Sequence, residues 1–208
     1  QELIRVPDLL RDLIEEIANN PKVCKYIDIP LQHINDEVLK SMRRGISKRR
    51  TIELLELLRN KIPDITIRTT FIVGYPNETE ERFDELVSFI EEFKFDRLGV
   101  FDYSVEDDTV AFPLGDKISQ EEKDYRKNKI MEIQEQISYE KNQNLIGKTL
   151  KVIIDNEEED YYIARSSKDV PEVDCEVLIK KEGSLIIGEF YTVNVIDCDE
   201  FDLFAKIS

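Results

Sequence analysis

The chain has 208 residues, enough for two small domains or one large one. Apolar residues make up 41% and charged residues 36%, which excludes wholesale disorder, and no run approaches the ~20 apolar residues of a membrane-spanning helix. With 29 basic against 45 acidic residues the net charge is −16, which argues against broad electrostatic attachment to nucleic acid or to an anionic membrane.

The sequence opens Gln1-Glu2-Leu3, with no Met and no basic stretch leading into an apolar run. No secretory signal is visible, and the chain is expected to be a piece or a processed form of something longer. Cys24, Cys175 and Cys198 lie far apart and His33 is the sole histidine, so no self-contained zinc or iron–sulfur site is expected. Sparse, odd-numbered cysteines fit a reducing cytoplasm.

Leu9, Leu10, Leu13, Ile14 and Ile17 recur at helical spacing after Pro7, and Asn19-Asn20-Pro21 ends that helix. A short strand follows at Tyr26 to Leu31. Asn35 reads as an N-cap with Asp36 and Glu37 in the first turn, and a further helix carries Ile52, Leu54, Leu55, Leu57 and Leu58. Ile65 to Val73 is the clearest strand of the chain, running into a turn at Gly74-Tyr75-Pro76-Asn77. The next helix is capped by Asn77 or Thr79 and turns Phe83, Leu86, Val87 and Ile90 inward. Another strand spans Leu98 to Tyr103. Strand, helix, strand, helix, strand is the grammar of a parallel α/β sheet.

Residues 104 to 118 read as loop, and Ser119-Gln120-Glu121-Glu122 as a capping box opening a long helix with Ile130, Ile133 and Ile137 on one face. Beyond it the pattern changes to alternating stretches at Thr149–Ile154, Tyr161–Ser166, Cys175–Lys180, Tyr191–Asp197 and Phe201–Ile207. These predict a five-stranded antiparallel barrel of the OB-like kind. The expected division is an α/β segment over 1–118, a connecting helix over 119–145 and a β-barrel over 146–208. The barrel segment holds seven basic and fifteen acidic residues, a net −8. Its aromatic residues could stack on bases, but its field has the wrong sign for nucleic acid. A basic protein is the partner expected.

In parallel α/β architectures chemistry sits beyond the C-terminal ends of the strands. Those ends carry Gln32 and His33, Gly74-Tyr75-Pro76, and Asp102-Tyr103-Ser104. Arg68, Thr69 and Thr70 bring polar groups into an otherwise apolar strand. Arg68 either neutralises a carboxylate such as Asp28 or faces a ligand-holding cavity. Gly74-Tyr75-Pro76 is either a plain turn or one that lets backbone approach a ligand. His33 is either structural or part of a site. Arg43, Arg44, Lys48, Arg49 and Arg50 form either a solvated helix end or an anion contact.

Four stretches carry a resemblance. They are Pro30-Leu31-Gln32-His33, Leu39-Lys40-Ser41-Met42-Arg43-Arg44-Gly45, the run from Ile67 through Arg68-Thr69-Thr70 to Gly74-Tyr75-Pro76, and Phe95-Asp96-Arg97-Leu98-Gly99-Val100-Phe101, with Tyr103-Ser104 and Thr109-Val110-Ala111 after them. In order, they resemble the radical S-adenosylmethionine methylthiotransferases over nearly the whole chain. Arg68-Thr69-Thr70 resembles the branch that modifies a ribosomal protein, whereas the tRNA-modifying branch usually has Thr-Asp near that place. The final segment resembles a TRAM domain. Departures are Asn77 where Gly is common, Ile46-Ser47 where Tyr-Thr is common, and the lack of the family's Cys-x-x-x-Cys-x-x-Cys loop.

The resemblance implies the C-terminal half of a partial TIM-like radical SAM barrel followed by the TRAM barrel. It implies S-adenosylmethionine (SAM) and two four-iron four-sulfur clusters in the complete enzyme, with no cluster ligand and no catalytic residue assignable here. The activity implied is addition of a methylthio group to the β-carbon of an aspartate in protein twelve of the small ribosomal subunit. Carried onto matching positions, Gln32, Arg68 and Thr70 face the barrel interior near the cofactor's polar groups, and Gly74, Tyr75 and Pro76 form the turn beside it. Val100 and Phe101 pack near the adenine, with backbone groups reading its edge, and Arg43 pairs a carboxylate of cofactor or substrate. The chain alone is expected to be inactive. Its first strand is expected to present an open edge, covered by a second copy or by an N-terminal segment. The rival readings are a non-catalytic module that binds a basic ribosomal protein, and a fragment of a tRNA-modifying enzyme.

Overall fold

A computed structural model describes residues 8–109, 111–171 and 173–208. Pro7 and Val110, singled out above, lie outside the described residues, as does the side chain of Leu9. The chain divides into two compact units, Gln1–Gln134 and Glu135–Ser208. Among the described residues no helix is long and apolar enough to cross a membrane.

In the first unit, helix α1 (Asp8–Asn19) precedes strand β1 (Tyr26–Gln32), followed by α2 (Asp36–Ser41), α3 (Lys48–Lys61), β2 (Thr66–Val73), α4 (Glu80–Phe93) and β3 (Arg97–Asp102). The strands form a parallel sheet in the order β1-β2-β3, so β1 and β3 are both edges of this sheet. Asn35 caps α2, its side-chain oxygen accepting from the Glu37 and Val38 N–H groups, and Ser47 caps α3. Of the two candidate caps for α4, Thr79 fills the role, accepting from the Arg82 N–H. Asn77 instead donates to the Glu37 carbonyl.

Burial along β2 alternates, with Ile67, Thr69, Phe71 and Val73 buried and Arg68, Thr70 and Ile72 only partly covered. One face of the sheet is therefore fully packed and the other, here called the open face, only partly covered, in contrast to a parallel sheet covered on both sides. The packed face carries an aromatic cluster in which Phe71 meets Phe95 edge-on at 5.7 Å and Phe89 at 6.4 Å. In α1, Ile14 and Ile17 are buried, but Leu13, expected to face inward, is 48% exposed. Arg59 joins α3 to the end of α4, donating to the Phe93 and Lys94 carbonyls and stacking on the Phe93 ring. Lys94 there adopts a left-handed conformation with φ 55°, the usual way to end a helix.

Helix α5 (Gln120–Gln143) begins in the first unit and ends in the second. Ser119 accepts from the Glu122 N–H, but Glu122 does not return the bond: its carboxylate pairs with Arg126. The expected capping box is thus half formed.

In the second unit, β4 (Thr149–Glu157), β5 (Tyr161–Ser166), β6 (Val177–Lys180), β7 (Phe190–Cys198) and β8 (Leu203–Ile207) close into a barrel in the order β4-β5-β6-β8-β7. Four of the pairings are antiparallel, and β6 with β8 is parallel. Closure requires that exception: strand directions cannot alternate around a ring with an odd number of members. Each strand sends two residues inward at i and i+2: Val152 and Ile154, Tyr162 and Ala164, Val177 and Ile179, Val193 and Val195, Leu203 and Ala205. Bulges after Ile154 and after Val195 bend the two longest strands around the core.

Candidate functional site

The open face of the sheet collects several of the residues predicted above. In-register partners on parallel strands point to the same side, so Arg68 lies between Asp28 and Arg97, Thr70 beside Gly99, and Ile72 beside Phe101. Arg68 donates to the Asp28 carboxylate at 2.7 Å, so the expected neutralising partner is present and lies on the same open face. Phe101 is 61% exposed on a strand interior, where an aromatic ring is ordinarily covered. Gly99 leaves a gap beside it: a Cβ there would meet nothing nearer than the Thr70 hydroxyl at 3.9 Å. Beside the Arg68–Asp28 pair this face thus carries a hydroxyl, an unfilled gap and an exposed ring, the mixture of polar and apolar groups from which ligand sites are built.

Val100 does not share this face. It pairs with Phe71 in register and is buried on the packed side, because alternation sends it opposite to Phe101. Only its backbone is available to a ligand. Gln32 ends β1 with φ 71°, past a register shift that follows Ile29. Arg43 is exposed at the end of α2 with φ 55°. In the basic run, Lys48 pairs with Glu85, and Arg49 and Arg50 both pair with Glu53, so three of its five members are engaged within the fold.

At the C-terminal ends of the strands lies a buried polar cluster. Tyr75 is packed, not presented: its ring meets Tyr103 edge-on at 5.2 Å and its hydroxyl donates to the Ser41 carbonyl. Burial raises the Tyr103 phenol above its ordinary pKa, with Tyr75 and Asp116 adding to the effect. Pro76 is partly buried after it. Gly74 holds φ 77°, and its N–H donates to Glu78 Oε1. The same carboxylate oxygen receives Arg126 Nη1 at 2.6 Å, and Arg126 also reaches the Glu78 carbonyl. Burial works against the Arg126 charge, but bonds to Glu78 and Glu122 outweigh it and leave the guanidinium more firmly protonated than usual.

His33 is fully buried as well. Its Nδ1 accepts from the Asn35 N–H, which places the ring proton on Nε2, 3.3 Å from Glu78 Oε2. The two atoms face each other without hydrogen-bond alignment. His33 is thus a buried member of the strand-end cluster.

Lys123 completes the cluster. It is 1% exposed, with Nζ donating to the Tyr103 carbonyl at 2.7 Å and to Asp116. Its stem runs over Gly74, where a Cβ would come within 2.9 Å of Lys123 Cδ and closer still to Cγ. The glycine is therefore required for this packing as well as for its positive φ.

Sequence reasoning missed Glu78, Lys123 and Arg126. A usable signal was present: Lys123, Arg126, Ile130, Gln134 and Ile137 are all buried and keep the period of one helical face. Charged residues are normally assigned to the solvated side, and that habit hides two of the five.

The barrel supplies a second surface. Arg165 is held by Asp155 and Lys181 by Glu157, while Lys151 lies over the Phe190 ring. Glu176 sits among Asp202, Glu158 and Asp155; partial burial first, then these charges, raise its pKa above the ordinary carboxylate value. Of the aromatic residues considered for stacking, Tyr162 is in the core, whereas Phe190 and Phe201 are 60% and 50% exposed. Among the described residues no group of three or more His, Cys, Asp or Glu is arranged to hold a metal ion. Cys24 is exposed, Cys175 half-buried and Cys198 buried, and they do not make a cluster ligand set.

Comparison with known proteins finds two family matches along the chain. Residues 3–90 match the Radical SAM superfamily and residues 146–207 the TRAM domain. The chain is 47% identical over 200 residues to the ribosomal protein uS12 methylthiotransferase RimO of Chloroherpeton thalassium, covering 94% of this chain and 46% of that protein. It is 48% identical over 196 residues to RimO of Christiangramia forsetii, covering 94% and 44%, and 50% identical over 198 residues to RimO of Phocaeicola vulgatus, covering 94% and 46%. The solved radical SAM enzyme coproporphyrinogen III oxidase (HemN) of Escherichia coli aligns with 18% identity and a TM-score of 0.45, over 84% of this chain and 44% of its own, a likeness too loose to define the fold further. The chain spans a little under half the length of the curated relatives it matches. Within that span it is similar to the RimO proteins, with a Radical SAM match in its first part and a TRAM match in its last.

Proposed function

We propose that this chain is the part of a uS12 methylthiotransferase that lines one side of the SAM cavity and docks the protein substrate. The observation that carries the reading is near-half identity to RimO proteins over 94% of the chain, including both domain matches. The complete enzyme would use SAM and two four-iron four-sulfur clusters to place a methylthio group on the β-carbon of a uS12 aspartate. Among the described residues no group fits a cluster, so its ligands would come from protein outside this chain.

In this reading the cofactor is held by the chain's own open face. Arg68 and Thr70 orient its carboxylate and hydroxyl groups, Phe101 offers a surface for the adenine, and the β3 backbone around Val100 reads the base edge. Gln32 and the Gly74-Tyr75-Pro76 turn frame the strand-end opening, and Arg43 contacts a carboxylate of cofactor or substrate. The β1 edge pairs with the remainder of the protein or with a second copy. The TRAM barrel, with a net −8 over residues 146–208, attracts a basic ribosomal protein and repels polyanions. The setting would be the cytoplasm, where ribosomes and their modifying enzymes meet.

The test is anaerobic reconstitution of the complete enzyme with SAM and uS12, read by mass spectrometry of the uS12 peptides. Methylthio-aspartate is expected with the complete enzyme and not with this chain alone. Modification of tRNA in place of uS12 would overturn the substrate assignment. Binding of uS12 by this chain should also weaken steeply with added salt.

A further inference from the structure

Three strand ends meet in the first unit, and a charged side chain buried from water holds backbone at two of them. Glu78 takes the Gly74 N–H after β2, and Lys123 donates to the Tyr103 carbonyl after β3. Arg126 anchors Glu78 through both its carboxylate and its carbonyl. His33, just beyond β1, closes the cluster against the other Glu78 oxygen at 3.3 Å. Both cations come from α5, three residues apart on one face, followed on the same face by Ile130.

Helix packing alone does not call for this. An ammonium and a guanidinium are costly to bury, and apolar side chains would close the same contact at least as well. What the charges accomplish, and apolar groups could not, is to bond strand-end backbone. Gly74 is constrained from two directions: its N–H is bonded, and the Lys123 stem fills the space where a side chain would be.

We propose that Lys123 and Arg126 are positioning residues, which set the geometry of the Gly74 turn and of the Tyr103 carbonyl and thereby the cofactor's end of the open face. The inference rests on the reading that this face and these strand ends hold SAM. In that reading neither residue would touch the cofactor; each would act through the strand-end backbone that frames it. The first half of α5 is then a working part of the cofactor site, in addition to its role in leading into the barrel.

The experiment uses the complete, cluster-loaded enzyme and measures SAM affinity, KM and kcat, together with Tm. Lys123→Met keeps the stem against Gly74 and deletes only the ammonium. It is expected to weaken SAM binding and raise KM for SAM roughly tenfold, the scale of small misplacements at a distance from the chemistry, with a smaller change in kcat. Ile130→Ala serves as the matched control: it loosens the same face of α5 without touching a strand end, and should lower Tm while leaving SAM affinity unchanged. Equal SAM affinity in Lys123→Met and wild type, or equal loss in both variants at equal Tm, would reduce Lys123 to a packing residue and overturn the proposal. If Lys123→Met does not yield folded enzyme, Arg126→Lys is read in the same way, since it keeps the charge and removes only the fork geometry; unchanged affinity there overturns the proposal too. Failure of the wild-type enzyme to bind SAM sinks the functional reading itself, whereas wild-type binding with unaffected variants sinks this inference alone.

Discussion

Gly74→Ala tests the strand-end packing most directly. An alanine at φ 77° carries about 1–2 kcal/mol of backbone strain. Its Cβ would also drive into the middle of the Lys123 stem, which cannot swing aside freely because Nζ is held by Tyr103 and Asp116. Overpacking of this kind costs about 1–3 kcal/mol, so the substitution should destabilise the first unit by about 2–5 kcal/mol. Peptide-resolved hydrogen exchange over β2 and the turn is the suitable assay, because the chain has two units that need not unfold together. A double-mutant cycle sharpens the test. Lys123→Ala removes the obstruction, so Gly74→Ala should cost about 1–3 kcal/mol less in that background, with only the strain remaining. Strict additivity, or a Gly74→Ala protein within about 0.5 kcal/mol of wild type, would refute the claim that the stem and the turn are locked together.

Arg126→Met leaves the Glu78 carboxylate, at 0% side-chain exposure, without its cationic partner and with the Gly74 N–H still bonded, and should cost about 3–5 kcal/mol in urea unfolding; a loss below ~1 kcal/mol would mean that the carboxylate finds water. Asn35→Ala removes the cap of α2 and should cost about 1 kcal/mol by the same measurement. It should also change the acid limb. Burial opposes the Glu85 charge, but bonds from Asn35 and Lys48 prevail and depress its pKa. The stability it contributes is present above the ordinary value of 4.5 and is lost as pH falls through the depressed one, so the gap between Asn35→Ala and wild type should narrow on the acid side to the cost of the lost cap. Glu176 has the opposite sign: its raised pKa means that its charge opposes folding at neutral pH, and this cost disappears as pH falls through and below the carboxylate range. Glu176→Gln should therefore stabilise the barrel slightly at neutral pH, by less than about 0.5 kcal/mol for so exposed a group, and not at all in acid.

Much of the architecture is local in origin and so was legible without coordinates. The α2 cap at Asn35, the strand from Thr66 to Val73, the change of pattern after the long helix and the five barrel strands all follow from side-chain period and from groups a few residues apart. Where two local choices competed, other contacts decided: Asn77 was drawn to the distant Glu37 carbonyl, leaving the α4 cap to Thr79, and Glu122 was drawn to Arg126 one turn along its own helix and left the capping box incomplete. Alternation should also have separated Val100 from Phe101, since neighbours on a strand face opposite ways.

The sequence by itself determined the two kinds of structure, the acidic balance of the barrel and, through its motifs, the resemblance to a family. Tertiary structure alone decided the parallel β6–β8 pair, which ring closure imposes on five strands. It alone decided that Tyr75 packs and Phe101 is bare. It alone revealed the buried cluster of His33, Glu78, Lys123 and Arg126, because a charge enters a core only where partners meet it there, and those partners include residues up to 48 positions away. Burial of a charge is a property of the surroundings, and no window of sequence contains them.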